Sequence, residues 1–168
     1  HKEEDLFCLN THLKLKQKFP NIITIIAPRH INRVKDIKFL CEKLNLNAQI
    51  LSEKEAIIEN KEIIIINYFG ALKEYFKYAK SVFIGKSMIR RLKNDGGQNP
   101  IEAAKLKCKI YHGPYVYNFE EIYKILENNK ISKKIKSFDE LSNNLIVDLD
   151  QPKKDNQTPD TIKSLGQH

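Results

Sequence analysis

The sequence is short of cysteine, arginine and glycine and has no long apolar run, and each shortage removes a class of protein. Its three cysteines, Cys8, Cys41 and Cys108, stand far apart with no C-x-x-C pair. That excludes a disulfide scaffold and disfavours a structural zinc site; three reduced thiols of a cytosolic protein are expected. The longest apolar stretch, around Ile63 to Ile66, is far short of the roughly eighteen residues a spanning helix needs. The opening H-K-E-E-D is acidic with no apolar segment behind it, so no secretory leader is expected. Five histidines are scattered along the chain and suggest no metal cluster. Neither G-x-G-x-x-G nor a complete phosphate-binding G-x-x-x-x-G-K-S/T is present; Gly85-Lys86-Ser87 has only the tail of the second.

What is present describes a globular chain. Its 168 residues suit one domain that buries roughly two-thirds of its unfolded surface. Hydrophobic residues at 41% and charged residues at 30% argue against wholesale disorder. The net charge of +8 points to an anionic partner. Nearly all of that charge is lysine, however, spread over polar faces in a chain rich in Ile, Lys and Asn. Only Arg29, Arg33, Arg90 and Arg91 offer the planar fork that reads phosphates and bases. A solvated surface and an anionic binding face both fit, and nucleic acid is the weaker partner.

The residue pattern alternates strands and helices. Leu6, Leu9 and Leu13, with acids before them and lysines after, predict a first helix stopped by Pro20. Ile22 to Ala27 reads as a strand closed by Pro28, and Ile31, Val34, Ile37, Leu40 and Leu44 recur at helical spacing. Ala48 to Leu51 is a weak strand. Ile63 to Ile66 is a strong one, whose four isoleucines require cover on both faces. Leu72 to Ala79 is helical, Val82 to Ile84 a strand, Pro100 to Leu106 a helix, Lys109 to Tyr111 a strand, and Phe119, Ile122 and Leu126 mark another helix. This order is that of a doubly wound, mostly parallel α/β sheet over residues 1–150, with its first strand expected upstream of His1. From Gln151 the sequence is polar and aperiodic, and residues 151–168 read as a disordered tail.

Ligands of such sheets bind beyond the carboxyl ends of the strands. Five of six glycines, Gly70, Gly85, Gly96, Gly97 and Gly113, follow strands or precede helices there. In N-D-G-G-Q-N-P-I-E-A-A, Asn99 is a good helix cap, Pro100 suits the first helical position and Glu102 the third. That pattern fits a capping box, and it equally fits a phosphate site fed by Gly96-Gly97. Arg29, after the first strand, is placed either for a surface ion pair or for an anion, with Arg33 one turn on.

These segments carry a resemblance. A-P-R-H at Ala27 to His30, N-Y-F-G-A-L around Gly70, Y-F-K-Y-A-K-S-V-F-I-G-K-S from Tyr75 to Ser87, N-D-G-G-Q-N-P-I-E-A-A and H-G-P-Y-V-Y-N-F from His112 to Phe119 occur in order at fitting intervals. With the opening H-K-E-E-D, they resemble the carboxy-terminal half of bacterial 3-deoxy-D-manno-octulosonic acid (Kdo) transferases, from His1 to about Leu149. The resemblance implies one Rossmann-like half of a two-domain GT-B glycosyltransferase that binds CMP-Kdo without a metal or other cofactor. It further implies a lipid A precursor site, a membrane anchor and the catalytic base in an amino-terminal half, at the cytoplasmic face of the inner membrane. Carried over, Pro28 and Arg29, the backbone at Phe69, Gly70 and Ala71, and Asn99, Pro100, Ile101 and Glu102 would hold the nucleotide, with no catalytic residue in this chain. Ala71 stands where the family often has glutamate, Gln98 where it has histidine, and Lys86 in place of a second glycine. A basic module for nucleic acid or anionic membrane, and another GT-B nucleotide-sugar enzyme, are the alternative readings.

Overall fold

The computed structural model describes residues 2–85, 99–116 and 119–151 and divides the chain into two compact units. The polar segment after Gln151 lies outside the described residues.

The first unit covers residues 2–72. It holds α1 (Lys2–Lys18), β1 (Thr24–Ile26), a single 3-10 turn (Ile31–Arg33), α2 (Val34–Lys43), β2 (Ala48–Leu51) and β3 (Ile63–Ile66). All strands are parallel in the order β1-β3-β2, with Ile26 and Ile50 both opposite Ile65. The four isoleucines of β3 are all buried, as a strand covered on both faces must be. Ile63 and Ile65 share a core with Leu9 of α1 and Val34, Ile37 and Cys41 of α2. Parallel neighbours normally need a crossover helix, yet β2 and β3 are joined by the irregular segment 52–62. The buried Gln49 of β2 replaces that helix's hydrogen bonds. Its Nε2 donates to the Ala56 carbonyl at 3.1 Å, and its Oε1 accepts from the Ile58 amide at 2.8 Å.

The first helix departs from its expected leucine face. Leu9 is buried, but Leu6 is 40% exposed, and the buried side also carries Glu4, Thr11 and His12. The helix is therefore tied down by polar contacts as well as by apolar ones. His12 is flanked by Thr24 Oγ1 of β1, 2.7 Å from Nδ1, and by Glu62 Oε1, 3.0 Å from Nε2. Burial pushes the His12 imidazole below its usual range, against the opposing pull of Glu62. Burial acts to raise Glu62, but the Asn47 amide, His12 and Lys16 outweigh it and hold the carboxyl at about 2.

The second unit begins at Lys73. The helix α3 (Leu72–Tyr78) leads into it, followed by β4 (Ser81–Ile84), α4 (Ile101–Lys105), β5 (Lys109–His112), α5 (Glu120–Asn128), β6 (Ser132–Lys134) and α6 (Phe138–Leu149). These strands are also all parallel, in the order β4-β5-β6. Ile84, Ala103, Ala104, Cys108, Ile110, Val116, Tyr123 and Leu126 form their core. The pattern analysis did not reach β6 and α6. Ser137 caps α6 by accepting from the Glu140 amide at 3.1 Å, while Glu140 Oε2 accepts from the Lys136 amide at 3.0 Å. The far end of α6 is fixed by Asp148, which accepts from Tyr111 Oη at 2.5 Å and Ser81 Oγ at 2.9 Å.

Helix ends explain part of the glycine shortage. Asn45, Lys107 and Lys130 adopt left-handed φ of 56°, 66° and 58° just past α2, α4 and α5, where glycine usually sits. All three cysteines are free, and burial raises the Cys41 thiol to about 11, which keeps it protonated and inert.

The Glu62 cluster gives a test of the first unit. Because Glu62 titrates at about 2 when folded and near 4.5 unfolded, its stabilisation is complete above pH 4.5 and is lost as pH falls towards 2. Glu62→Gln is expected to cost about 1.5–3 kcal/mol at neutral pH, the worth of hydrogen bonds to a charged group. In urea denaturation at stepped pH, the gap between wild type and variant should close in acid. Parallel curves would contradict the assignment.

Candidate nucleotide site

Sheet direction places the sequence-derived residues at strand ends. In the first unit β1 and β3 are hydrogen-bonded neighbours running the same way, so the segments that leave them emerge side by side. Pro28 and Arg29 lie just past β1, and Phe69, Gly70 and Ala71 just past β3. The structure thus brings these five residues to one edge.

The two arginines there divide by role. Arg33 is partly buried and forms an ion pair with Asp5 of α1, which fixes the 3-10 turn to the first helix. Arg29 is exposed, and among the described residues nothing bonds its guanidinium. Asp5 belongs to the opening H-K-E-E-D, so one acid of that stretch has a structural duty.

Gly70 adopts φ +86°, a conformation that side chains rarely take, and a Cβ there would meet nothing within 4 Å. Its glycine is required by the backbone alone. Phe69 beside it is 78% exposed, whereas Ala71 is buried at 6%. With alanine at that point, the turn can offer a ligand its backbone and the Phe69 ring, and no carboxylate. Among the described glycines only Gly70 has positive φ, so Gly85 and Gly113 do not share its conformational need. Gly96 and Gly97 lie outside the described residues, as does Lys86.

In the second unit, Asn99, Pro100, Ile101 and Glu102 form the entry to α4. Asn99 Oδ1 accepts from the Ile101 amide at 2.9 Å, and the Pro100 carbonyl accepts from the Ala104 amide at 3.0 Å. The helix starts one residue later than its sequence suggests: Pro100 stands at the N-cap without a side-chain cap bond, and Asn99 braces the turn just before it. The reciprocal half of a capping box is not formed: Glu102 is exposed, and among the described residues nothing bonds its carboxylate. Pro100 and Ile101 are buried and anchor the turn. With five residues, α4 has little macrodipole, so a ligand would be met by individual groups of the turn more than by the helix as a whole. Among the described residues no group of three or more His, Cys, Asp or Glu could hold a metal ion.

The candidate binding groups are therefore an exposed arginine and a positive-φ glycine turn in the first parallel α/β unit, and in the second a turn with an exposed carboxylate. The comparisons are more particular. The chain is 32% identical over 145 residues to the 3-deoxy-D-manno-octulosonic acid transferase of Rickettsia typhi, covering 86% of this chain. It is 29% identical over 126 residues to the enzyme of the same name from Haemophilus influenzae, covering 75% of this chain. The chain spans about 30% of the length of these curated relatives. Among solved structures it matches the C-terminal CMP-Kdo binding domain of WaaA from Acinetobacter baumannii with a TM-score of 0.80. That match has 20% identity and covers 90% of this chain and 77% of the other. No protein-family model matches. The resemblance to Kdo transferases thus extends over most of the chain, and the fold is that of the matched C-terminal domain.

The geometry of Gly70 predicts an asymmetric mutational response. Gly70→Ala is expected to destabilise by about 1 kcal/mol through backbone strain alone, and Gly70→Asn by less, because asparagine tolerates positive φ. Thermal denaturation of the two variants distinguishes this from a steric requirement, which would penalise the larger asparagine more.

Proposed function

We propose that this chain is the donor-binding half of a Kdo transferase. It holds CMP-Kdo while the sugar passes to a lipid A precursor at the cytoplasmic face of the bacterial inner membrane. The observation that carries the reading is the similarity of most of the chain to Kdo transferases, and of its fold to a CMP-Kdo binding domain. The reaction is in-line attack of a glucosamine hydroxyl on the anomeric carbon of Kdo, with CMP leaving and the configuration inverted. Arg29 balances the charge that grows on the departing phosphate. The exposed Glu102 carboxylate accepts hydrogen bonds from the ribose hydroxyls. The backbone at Phe69, Gly70 and Ala71 lines the nucleotide.

This chain supplies no general base in the scheme. The base and the acceptor site belong to a partner half, and membrane attachment is assigned there too. Among the described residues no helix is long and apolar enough to cross a membrane. No metal or other cofactor enters the scheme, and nucleic acid is not a partner.

Two measurements test the reading. CMP at about one hundred times its dissociation constant should stabilise the chain by about 2.7 kcal/mol, and UMP or AMP at the same concentration by less. Equal shifts from all three nucleotides would remove the cytidine assignment. Glu102→Gln should weaken CMP binding roughly tenfold, since a charge-assisted hydrogen bond contributes about 1.5–3 kcal/mol, with the melting temperature nearly unchanged. Unchanged affinity would assign Glu102 to the helix start alone.

A further inference from the structure

Two buried histidines tie a helix to a strand, and they differ in what faces their ring nitrogens. His12 lies between the Thr24 hydroxyl and the Glu62 carboxylate. A hydroxyl can donate and a carboxylate accepts, so the neutral ring with its proton on Nε2 satisfies both sides. His112 is enclosed differently. Its Nδ1 is 2.7 Å from the Gly113 carbonyl, and its Nε2 is 3.1 Å from Glu127 Oε1 on α5. Both of those oxygens only accept. A neutral imidazole has one proton, so one nitrogen must present a lone pair to an oxygen. The buried Nε2 shows this state, standing near Glu127 without the alignment of a hydrogen bond.

The surroundings of His112 connect it to the candidate site. It is the last residue of β5, and Gly113 to Val116 follow it at the carboxyl end of the sheet. Its ring packs on Tyr123 of α5 with centroids 4.3 Å apart. Tyr123 and Val116 belong to the same core as Ala103 and Ala104 of α4, directly behind the Asn99–Glu102 turn. The other charges that act on the ring are Glu127 from α5 and Lys134 from β6, which oppose one another.

We propose that His112 and Glu127 form a proton-operated latch that positions the Gly113–Val116 segment, and through the shared core the Asn99–Glu102 turn, for the nucleotide. When the ring takes a proton from solvent, Nε2–H donates to Glu127 while Nδ1–H continues to donate to Gly113. Strand end and helix are then joined on both sides, and α4 is held for ligand. Burial disfavours the charged ring, which keeps the latch open until the pH falls below the ordinary histidine range. The inference rests on the reading of this chain as a CMP-binding domain.

The test is calorimetric titration of the whole chain with CMP at about pH 8 and at about pH 5, below the ordinary histidine range, for wild type, His112→Gln and Glu127→Gln. In Glu127→Gln the carboxamide N–H can donate to the neutral ring, so the latch is closed at both values. Comparing proteins at each pH cancels the titration of the CMP phosphate itself. Wild type should bind about fivefold more weakly than Glu127→Gln at the higher pH and equally at the lower, the size of one net hydrogen bond. His112→Gln should remain weak at both. An affinity ratio between wild type and Glu127→Gln that does not change with pH would overturn the latch and leave the pair a packing element. If His112→Gln does not fold, the comparison with Glu127→Gln decides alone, since Glu127 lies partly at the surface. A wild-type chain that binds no CMP at either pH would refute the donor-binding reading, and the latch with it.

Discussion

The β3 strand sets the constraint on which the first unit depends. A run of four isoleucines has no polar face, so the strand is stable only where both of its faces are covered. Parallel pairing on either side by β1 and β2 meets this demand and fixes the direction of every neighbour. With the directions fixed, the segments after β1 and β3 leave from the same edge, one carrying Arg29 and the other Gly70. The position of the candidate site is thus a consequence of burying Ile63–Ile66. Its chemistry resides in residues that add little to stability.

Polar ties complete what apolar packing leaves open. The α1 helix has a weak leucine face, and His12, Glu62 and Thr24 hold it to the sheet. The α6 helix is held at its end by Asp148 through Tyr111 and Ser81. Each tie uses a partly buried acceptor with at least two donors, the condition under which such a charge does not destabilise its surroundings. His112 departs from that rule, because the groups on both sides of it accept. An exception of this kind beside a strand end is where sequence-level consistency is expected to yield to function.

Much of the fold could be read from the sequence, since β3 follows from its unbroken apolar run and α2 from a spacing of 3.6. What escaped has identifiable causes. The β6 strand is Ser132–Lys134 with two exposed lysines, which gives no apolar alternation to detect. The start of α6 is encoded by Ser137 and Glu140, but the polar Ser142-Asn143-Asn144 interrupts its apolar spacing. The buried face of α1 is partly polar, so counting leucines chose Leu6, which is 40% exposed. In the site, the helix entry beside Asn99 was visible because helix starts follow local rules. Whether Glu102 closes a capping box was not, because that depends on which rotamer leaves the carboxylate free. The ion pair of Arg33 with Asp5 joins residues 28 positions apart, and no local pattern announces such a pair.

The charge of the chain shows why composition is a poor guide to its ligand. A net +8 suggests a polyanion, yet the described lysines whose bonds are known serve short-range duties. Lys16 pairs with Glu62, Lys77 with Glu74 and Lys124 with Glu120, while Lys80 donates to a carbonyl at the end of α6. At the edge formed by β1 and β3, Arg33 is bound to Asp5, which leaves Arg29 as the arginine open to a ligand. One exposed guanidinium at a strand edge suits a single phosphodiester on a small ligand far better than a long anionic backbone. A long backbone would draw on many cations at once and would be released steeply by salt. A small ligand gives up one ion pair, and its specificity can rest on short-range hydrogen bonds that salt hardly screens. A strongly basic composition therefore says little about the groups by which a protein selects a small ligand.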